Sequence, residues 1–243
     1  MNSIEQYSPF HFNKNQRNAA NLISAFFDDP NAHAFILHGH AGTGKTTIIQ
    51  ALIAYLRNME IPVVLLASTG RAAKIVSEKA RFSAETVHKH IYIIDKEQLD
   101  QEKKIRRLSF RLRENTFPRN AVFIVDECSM ISDHNSGSVF IQYGSGRLLT
   151  DFFRYADNRK VIFSGDPSQL PPVKFPYSPA LNARYLGSEH KKIVKQAGLD
   201  ETMRFSQHSG IFRIADHLRR KVAANTMDYL QIVASGFDDV EVI

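Results

Sequence analysis

Gly39-His40-Ala41-Gly42-Thr43-Gly44-Lys45-Thr46 is the stretch from which the rest of the chain can be read. It fits G-x-x-x-x-G-K-[ST], follows the apolar run Ala34 to Leu37 directly, and leads straight into a helix-like stretch, Thr46 to Arg57. A strand, a glycine-rich turn and a helix in that order are the context the motif needs. The glycines let successive backbone N–H groups point inward as an anion nest, and the helix N-terminus adds its positive dipole. On this reading Lys45 reaches the β- and γ-phosphates of a nucleotide and Thr46 ligates Mg2+. The expected nucleotide contacts are Gly42, Thr43, Gly44, Lys45, Thr46 and Thr47.

Outward from this loop, apolar β-branched runs recur at Pro62 to Ala67, Ala121 to Val125 and Lys160 to Phe163. None alternates with period two, as expected of strands covered on both faces of a parallel sheet. Between them lie helix-like stretches at Gly70 to Lys79, Arg147 to Tyr155 and Ile211 to Val222, with an earlier amphipathic helix marked by Ala19, Leu22, Ile23, Phe26 and Phe27 and stopped by Asp28-Asp29-Pro30. The fold class is therefore α/β: a P-loop parallel sheet flanked by helices. Residues 90 to 114 break the pattern. There Ile91 and Ile93 alternate with Tyr92 and Ile94, and Leu108, Phe110 and Leu112 with Ser109, Arg111 and Arg113, which predicts two half-exposed strands in a small β-rich insertion. Lys96 to Glu114 holds seven Lys/Arg against four Asp/Glu, which suits either a solvated charged surface or a nucleic-acid contact.

Composition bounds the rest. At 243 residues, 43% hydrophobic and 23% charged, the chain is long enough for a sizeable core and is not a disordered one. A single cysteine, Cys128, excludes disulfide scaffolds and multi-thiolate zinc sites and suits a reducing compartment. The longest apolar runs are about five residues, far below the ~18 needed to cross a bilayer, so no membrane partner is expected. The first eighteen residues have no apolar signal region, which makes the cytoplasm the expected location. A net charge of +6 and a pI near 9.4 favour a polyanionic partner.

Two further motifs carry chemistry. The run Val122-Phe123-Ile124-Val125 ends in Asp126-Glu127, where a strand's carboxyl end presents both carboxylates beside the phosphate loop. Asp126 is expected to hold Mg2+ together with Thr46, and Glu127 to orient and deprotonate an attacking water, making a nucleoside-triphosphate hydrolase site. With no Asn-Lys-x-Asp guanine-reading motif in the chain, ATP is favoured over GTP. The second motif, Gly165-Asp166-Pro167-Ser168-Gln169-Leu170-Pro171-Pro172-Val173, also follows a strand. The neutral amide of Gln169 can hydrogen-bond a γ-phosphate and respond to its loss, while Pro171 and Pro172 stiffen the chain beyond it. That loop reads equally as a relay and as a turn.

Taken together, GHAGTGKT, ASTGRAAK (Ala67 to Lys74), Thr86-Val87-His88, VDECSM (Val125 to Met130), GDPSQLPPV and MRFSQHSGI (Met203 to Ile211) resemble superfamily 1B DNA helicases, RecD-like members most nearly. The six motifs stand in that family's order and span nearly the whole chain. The resemblance implies that Gln16 recognises adenine, that Thr69, Gly70 and Arg71 contact the backbone of single-stranded DNA, and that Thr86 and His88 make the next DNA contacts before an insertion called 1B. It also makes Arg204 the motif IV arginine that reaches the γ-phosphate. A hydroxyl, a close backbone approach and a guanidinium are phosphate-binding groups in their own right. Two positions depart from the family: Phe205 stands where many relatives have Gln, and Cys128 where Ala is usual, the latter expected to be a small buried residue and not a nucleophile.

The implied division is an ATPase domain over residues 1–89 and 115–198, the insertion over 90–114, and the opening of a second RecA-like domain over 199–243. Motifs V and VI are not found, and the residues after Arg204 are too few for the rest of a second domain, so the chain is expected to be the N-terminal portion of a longer motor. The expectation is an ATP-dependent translocase core that binds ATP, Mg2+ and single-stranded DNA. Its rivals are an ATP-binding regulatory or docking module without motor activity, and a P-loop kinase, which would leave GDPSQLPPV without a role.

Overall fold

The structure, a computed structural model, describes residues 3–100, 105–135, 140–201 and 210–223. Arg204 and most of the Met203 to Ile211 motif lie outside the described residues, as does the centre of the 90–114 insertion.

Helix α1 (Lys14–Asp28) begins at a capping box in which Asn13 and Gln16 each satisfy the other's backbone N–H. It buries Ala19, Ala20, Ile23 and Phe26 at helical spacing. Its exit is tied down by Lys160, whose ammonium donates to the carbonyl of Phe26 (2.7 Å), in the last turn where helix carbonyls lack an intrahelical partner, and to those of Asp29 (2.8 Å) and Ala32 (3.1 Å) in the loop that follows.

There follow β1 (Ala34–Gly39), α2 (Lys45–Asn58), β2 (Val63–Ala67), α3 (Gly70–Ala80), β3 (Ala84–Thr86), the short α4 (Val87–Ile91), β4 (Tyr92–Asp100) and β5 (Ile105–Leu112). The chain continues through β6 (Val122–Asp126), β7 (Ile141–Tyr143), α5 (Leu148–Ala156), β8 (Lys160–Gly165), α6 (Ala183–His190), β9 (Val194–Leu199) and α7 (Gly210–Ala223).

Six strands form one sheet in the order β3-β2-β6-β8-β1-β9, and every pairing in it is parallel. Successive residues alternate between two cores. Phe35, Leu37, Leu65 and Ile124 pack with α1, α2 and α3, while Ile36, Leu66, Phe123 and Phe163 pack with α4, α5 and α6. Both faces are thus covered, which is why the strands read as unbroken apolar runs. Phe35, Phe123, Phe152 and Phe163 are fully buried, each worth about 1.5–3 kcal/mol relative to exposure.

This sheet geometry places the motifs. The loops leaving β2, β6, β8 and β1 are the Ser68–Arg71, Asp126–Glu127, Gly165–Gln169 and Gly39–Thr46 segments, and these four strands are consecutive neighbours. All four loops therefore emerge at one edge, where ligands of open α/β sheets bind.

The insertion differs from its sequence reading in two respects. Ile91, expected at the start of a strand, instead closes α4 and is buried in the second core. The hairpin β4–β5, bulged between Ile94 and Lys96, gains a third strand from outside 90–114: β7 pairs parallel to β5, with Phe110 opposite Tyr143. The small sheet is anchored to the rest of the fold through the Tyr92 hydroxyl, which donates to the buried Asp151 carboxylate on α5 (2.7 Å), and is held together within itself by stacking of Phe110 on Tyr143 at 4.5 Å. Among the described residues no helix is long and apolar enough to cross a membrane.

Candidate active site

The phosphate loop turns on two glycines in the left-handed region, Gly42 (φ 85°) and Gly44 (φ 89°). Gly44 caps α2, and a Cβ there would meet the Gln16 amide nitrogen at 2.1 Å, so conformation and space both demand glycine. Gln16 is buried and donates from Nε2 to the Thr43 carbonyl (3.2 Å) while its Oε1 accepts from the Asn13 N–H (3.0 Å), which braces α1 against the loop. Lys45 is 7% exposed, and its ammonium donates to the carbonyls of Gly39 (2.6 Å) and His40 (3.0 Å). Burial lowers its pKa, opposed by the nearby carboxylates of Glu127, Asp126 and Asp166. A polyanion in the loop would favour the charged form in the same way.

Asp126 ends β6 at 4% exposure and accepts the Ser164 hydroxyl (2.7 Å) from neighbouring β8. Burial pushes its carboxyl pKa up, and the Ser164 bond works against this. Its neighbour Glu127 has a left-handed backbone (φ 49°, ψ 42°), which for a residue with a Cβ costs roughly 1–2 kcal/mol. Three groups hold it there: the Ser68 hydroxyl donates to the Glu127 carbonyl (2.7 Å), Gln169 Nε2 donates to the Glu127 carboxylate (3.2 Å), and Ser129 donates to the Gln169 carbonyl oxygen (3.0 Å). Strain of this kind persists only where the surroundings over-determine it. Beyond Gln169, Leu170 and Val173 are exposed.

Two adjoining cavities meet at Thr46 and Glu127. One, of 540 Å³, is lined by Gly42, Gly44, Lys45, Thr47 and Lys79 as well, and falls within the range of small-molecule sites. The other, of 280 Å³, adds Ser68, Thr69, Arg71, Asp126 and Gln169. Thr46 and Asp126 both line the second cavity, and one carboxylate with one hydroxyl is the sparse oxygen set that suits Mg2+, which keeps waters and takes substrate phosphate as further ligands. Among the described residues no three His, Cys, Asp or Glu side chains cluster as a metal cage.

The candidate nucleic-acid residues fall in two places. Thr69 caps α3 by accepting the Ala72 N–H (3.2 Å), Gly70 and Arg71 are exposed, and a Cβ built on Gly70 meets nothing within 4 Å. That edge is open to a backbone-sized ligand. Thr86 caps α4 through the Lys89 N–H (3.1 Å). His88 is half-buried, 5.2 Å from the Tyr143 ring and 6.0 Å from that of Tyr92, and burial lowers its pKa. It thus sits at the joint between the small sheet and the six-stranded one. Cys128 is fully buried with its thiol pKa pushed well up by burial, as its expected inert role requires.

Sequence reasoning did not single out Ser68, Ser129 or Ser164. Ser68 lies inside the quoted ASTGRAAK segment, one residue before the supposed contacts, whereas Ser164 carries no local signal and is found only through the pairing of β6 with β8.

A family model described as AAA domain matches residues 11–233. The chain is 30% identical over 141 residues to the ATP-dependent DNA helicase Pif1 of Psychrobacter sp., a match covering 56% of this chain and 19% of that protein. It is likewise 30% identical over 142 residues to an uncharacterized protein of Methanocaldococcus jannaschii, covering 57% of this chain and 11% of that one. The chain thus spans about a fifth or less of these two relatives. Among solved structures, the Pif1 helicase from Candida albicans aligns with a TM-score of 0.53 at 20% identity, covering 87% of this chain and 44% of that one, a likeness of fold.

Proposed function

The chain belongs to the AAA domain family, and we propose that within it this protein is the ATP-hydrolysing core of a superfamily 1B, RecD-like DNA helicase or translocase. The observation that carries this reading is the convergence, at the ends of four neighbouring strands, of the phosphate loop, the Asp126–Glu127 pair, Gln169 and the open Thr69–Arg71 edge, with hydrogen bonds to Glu127 from Gln169 and from Ser68, the residue before that edge. The partial identity to a named DNA helicase supports it. Residues 1–89 and 115–198 act as the ATPase domain and 90–114 as the small insertion.

ATP enters the larger cavity with its phosphates on the loop N–H groups. Lys45 exchanges its bonds with the Gly39 and His40 carbonyls for phosphate oxygens. An amide nitrogen carries two hydrogens, so Gln16 can read adenine with one while keeping Thr43 with the other. Mg2+, held by Thr46 and Asp126, would supply charge neutralisation on the phosphates. Glu127 accepts the proton of the attacking water, Gln169 senses the γ-phosphate, and Arg204 adds positive charge to the transferring group. Thr69, Gly70, Arg71, Thr86 and His88 hold the phosphate backbone of single-stranded DNA.

The test is ATP turnover by the full-length protein as oligo(dT) is added. Stimulation supports the motor. Nucleotide binding without any stimulation would refute it and favour an ATP-binding docking module.

A further inference from the structure

Strand register brings two residues together that the sequence keeps 59 apart. In the parallel pairing of β2 with β6, Ala67 lies opposite Asp126, so the next residues to leave the sheet, Ser68 and Glu127, emerge side by side. There the half-buried Ser68 hydroxyl donates to the Glu127 main-chain carbonyl at 2.7 Å. That carbonyl belongs to a residue in the left-handed region whose carboxylate is held by Gln169, so the Ser68 bond fixes both the backbone and the direction in which the carboxylate leaves it. On its other side, Ser68 is bonded directly to Thr69, the first residue of the exposed edge that Gly70 and Arg71 continue.

We infer that Ser68 is a positioning residue that transmits occupancy of the Thr69–Arg71 edge by a single-stranded nucleic-acid backbone to the orientation of Glu127. A serine hydroxyl has one proton to donate. Phosphate oxygens arriving at Thr69–Arg71 either draw that proton or shift the end of β2 that carries it. In both cases the Glu127 carbonyl loses or re-aims its partner, and the strained backbone moves with it. The cavity that joins Ser68, Thr69 and Arg71 to Asp126, Glu127 and Gln169 makes the path one of direct neighbours. Position 68 therefore requires a hydroxyl, while its contribution to the core is slight. This inference rests on the motor reading above.

The experiment compares the full-length protein with Ser68→Ala and Ser68→Thr. It measures ATP turnover with and without saturating oligo(dT), KM for ATP, and oligo(dT) affinity by fluorescence anisotropy. The expected result is that Ser68→Ala keeps KM and oligo(dT) affinity within about twofold, while the ratio of stimulated to basal turnover falls at least about fivefold, and Ser68→Thr restores the ratio. A merely structural serine would lower both rates together and leave their ratio intact. An unchanged ratio in Ser68→Ala overturns the link alone. An unmutated protein that binds nucleotide but shows no stimulation overturns the motor reading and this link with it.

Discussion

Replacing Asp133 by Asn should cost about 3–5 kcal/mol of stability, the range for breaking one side of a buried charged network. The Asp133 carboxylate is 2% exposed and accepts five hydrogen bonds. Oδ1 takes the Thr150 N–H (3.0 Å) and hydroxyl (2.7 Å), and Oδ2 takes Arg147 (3.1 Å), the Tyr185 hydroxyl (2.8 Å) and His190 Nε2 (3.0 Å). An ionised carboxylate is the side chain that accepts at both oxygens, whereas an asparagine of the same shape turns one of them into an NH2 that faces donors. A fixed donor, the Thr150 N–H or the Arg147 guanidinium, then loses its bond outright and the remaining bonds lose their charge assistance, a bond to a charged group being worth roughly 1.5–3 kcal/mol. The Arg147 side chain is 43% exposed, so water recovers most of its share, which keeps the total below the sum. For a domain of this size a loss of 3–5 kcal/mol lowers Tm by about 10 °C.

The pH dependence has a definite sign. Burial alone would raise the Asp133 pKa, but the hydrogen bonds from His190, Thr150 and Tyr185 outweigh it and hold the carboxyl well below the usual range. The stability this provides is complete above the ordinary aspartate pKa of ~3.9 and is lost as pH falls from there toward the depressed folded value. Urea unfolding followed by circular dichroism from pH 7 down to pH 3 should therefore show an acid limb in the wild type that is shallower in Asp133→Asn. A cost below about 1 kcal/mol at pH 7, or identical acid limbs, would refute the argument that this carboxylate is held ionised by its neighbours.

Three further predictions concern the chemistry. Lys45→Ala should reduce ATP turnover by about 100-fold or more, and a fluorescent ATP analogue should bind weakly by titration; near-normal turnover would remove Lys45 from the phosphate site. Glu127→Gln should retain nucleotide affinity and lose on the order of 100- to 10,000-fold in kcat, the usual weight of a general base; a normal kcat in a phosphate-release assay would reassign that role. Arg71→Ala should weaken oligo(dT) binding and reduce the slope of log affinity against log salt by about 0.7, one counterion on a single strand, an effect to be read by anisotropy at several salt concentrations; an unchanged slope would take Arg71 off the backbone.

What the sequence determined by itself is the local chemistry. A strand, a glycine turn and a lysine at a helix start are contiguous, so GHAGTGKT specifies the phosphate loop without reference to any other part of the chain, and the structure has two of its three glycines, Gly42 and Gly44, in the left-handed region. The apolar runs of β1, β2, β6 and β8 were legible for the same reason, since strands buried on both faces leave an unbroken mark. β9 was not legible: it lies at the sheet edge, where Lys195 and Gln196 are exposed and dilute the apolar pattern. Nor was β7, three residues long, which becomes a strand only because β5 offers it a free edge.

Only the tertiary structure decided which distant residues meet. The register of β2 on β6 sets Ser68 against Glu127, that of β6 and β8 sets Ser164 against Asp126, and the packing of α5 and α6 surrounds Asp133 with Thr150, Tyr185 and His190. The physical reason is that a hydrogen bond depends on angstroms and not on sequence separation. Side chains tens of residues apart carry no joint pattern along the chain, and the sheet that brings them within 3 Å forms from the sum of many apolar contacts that no single motif encodes.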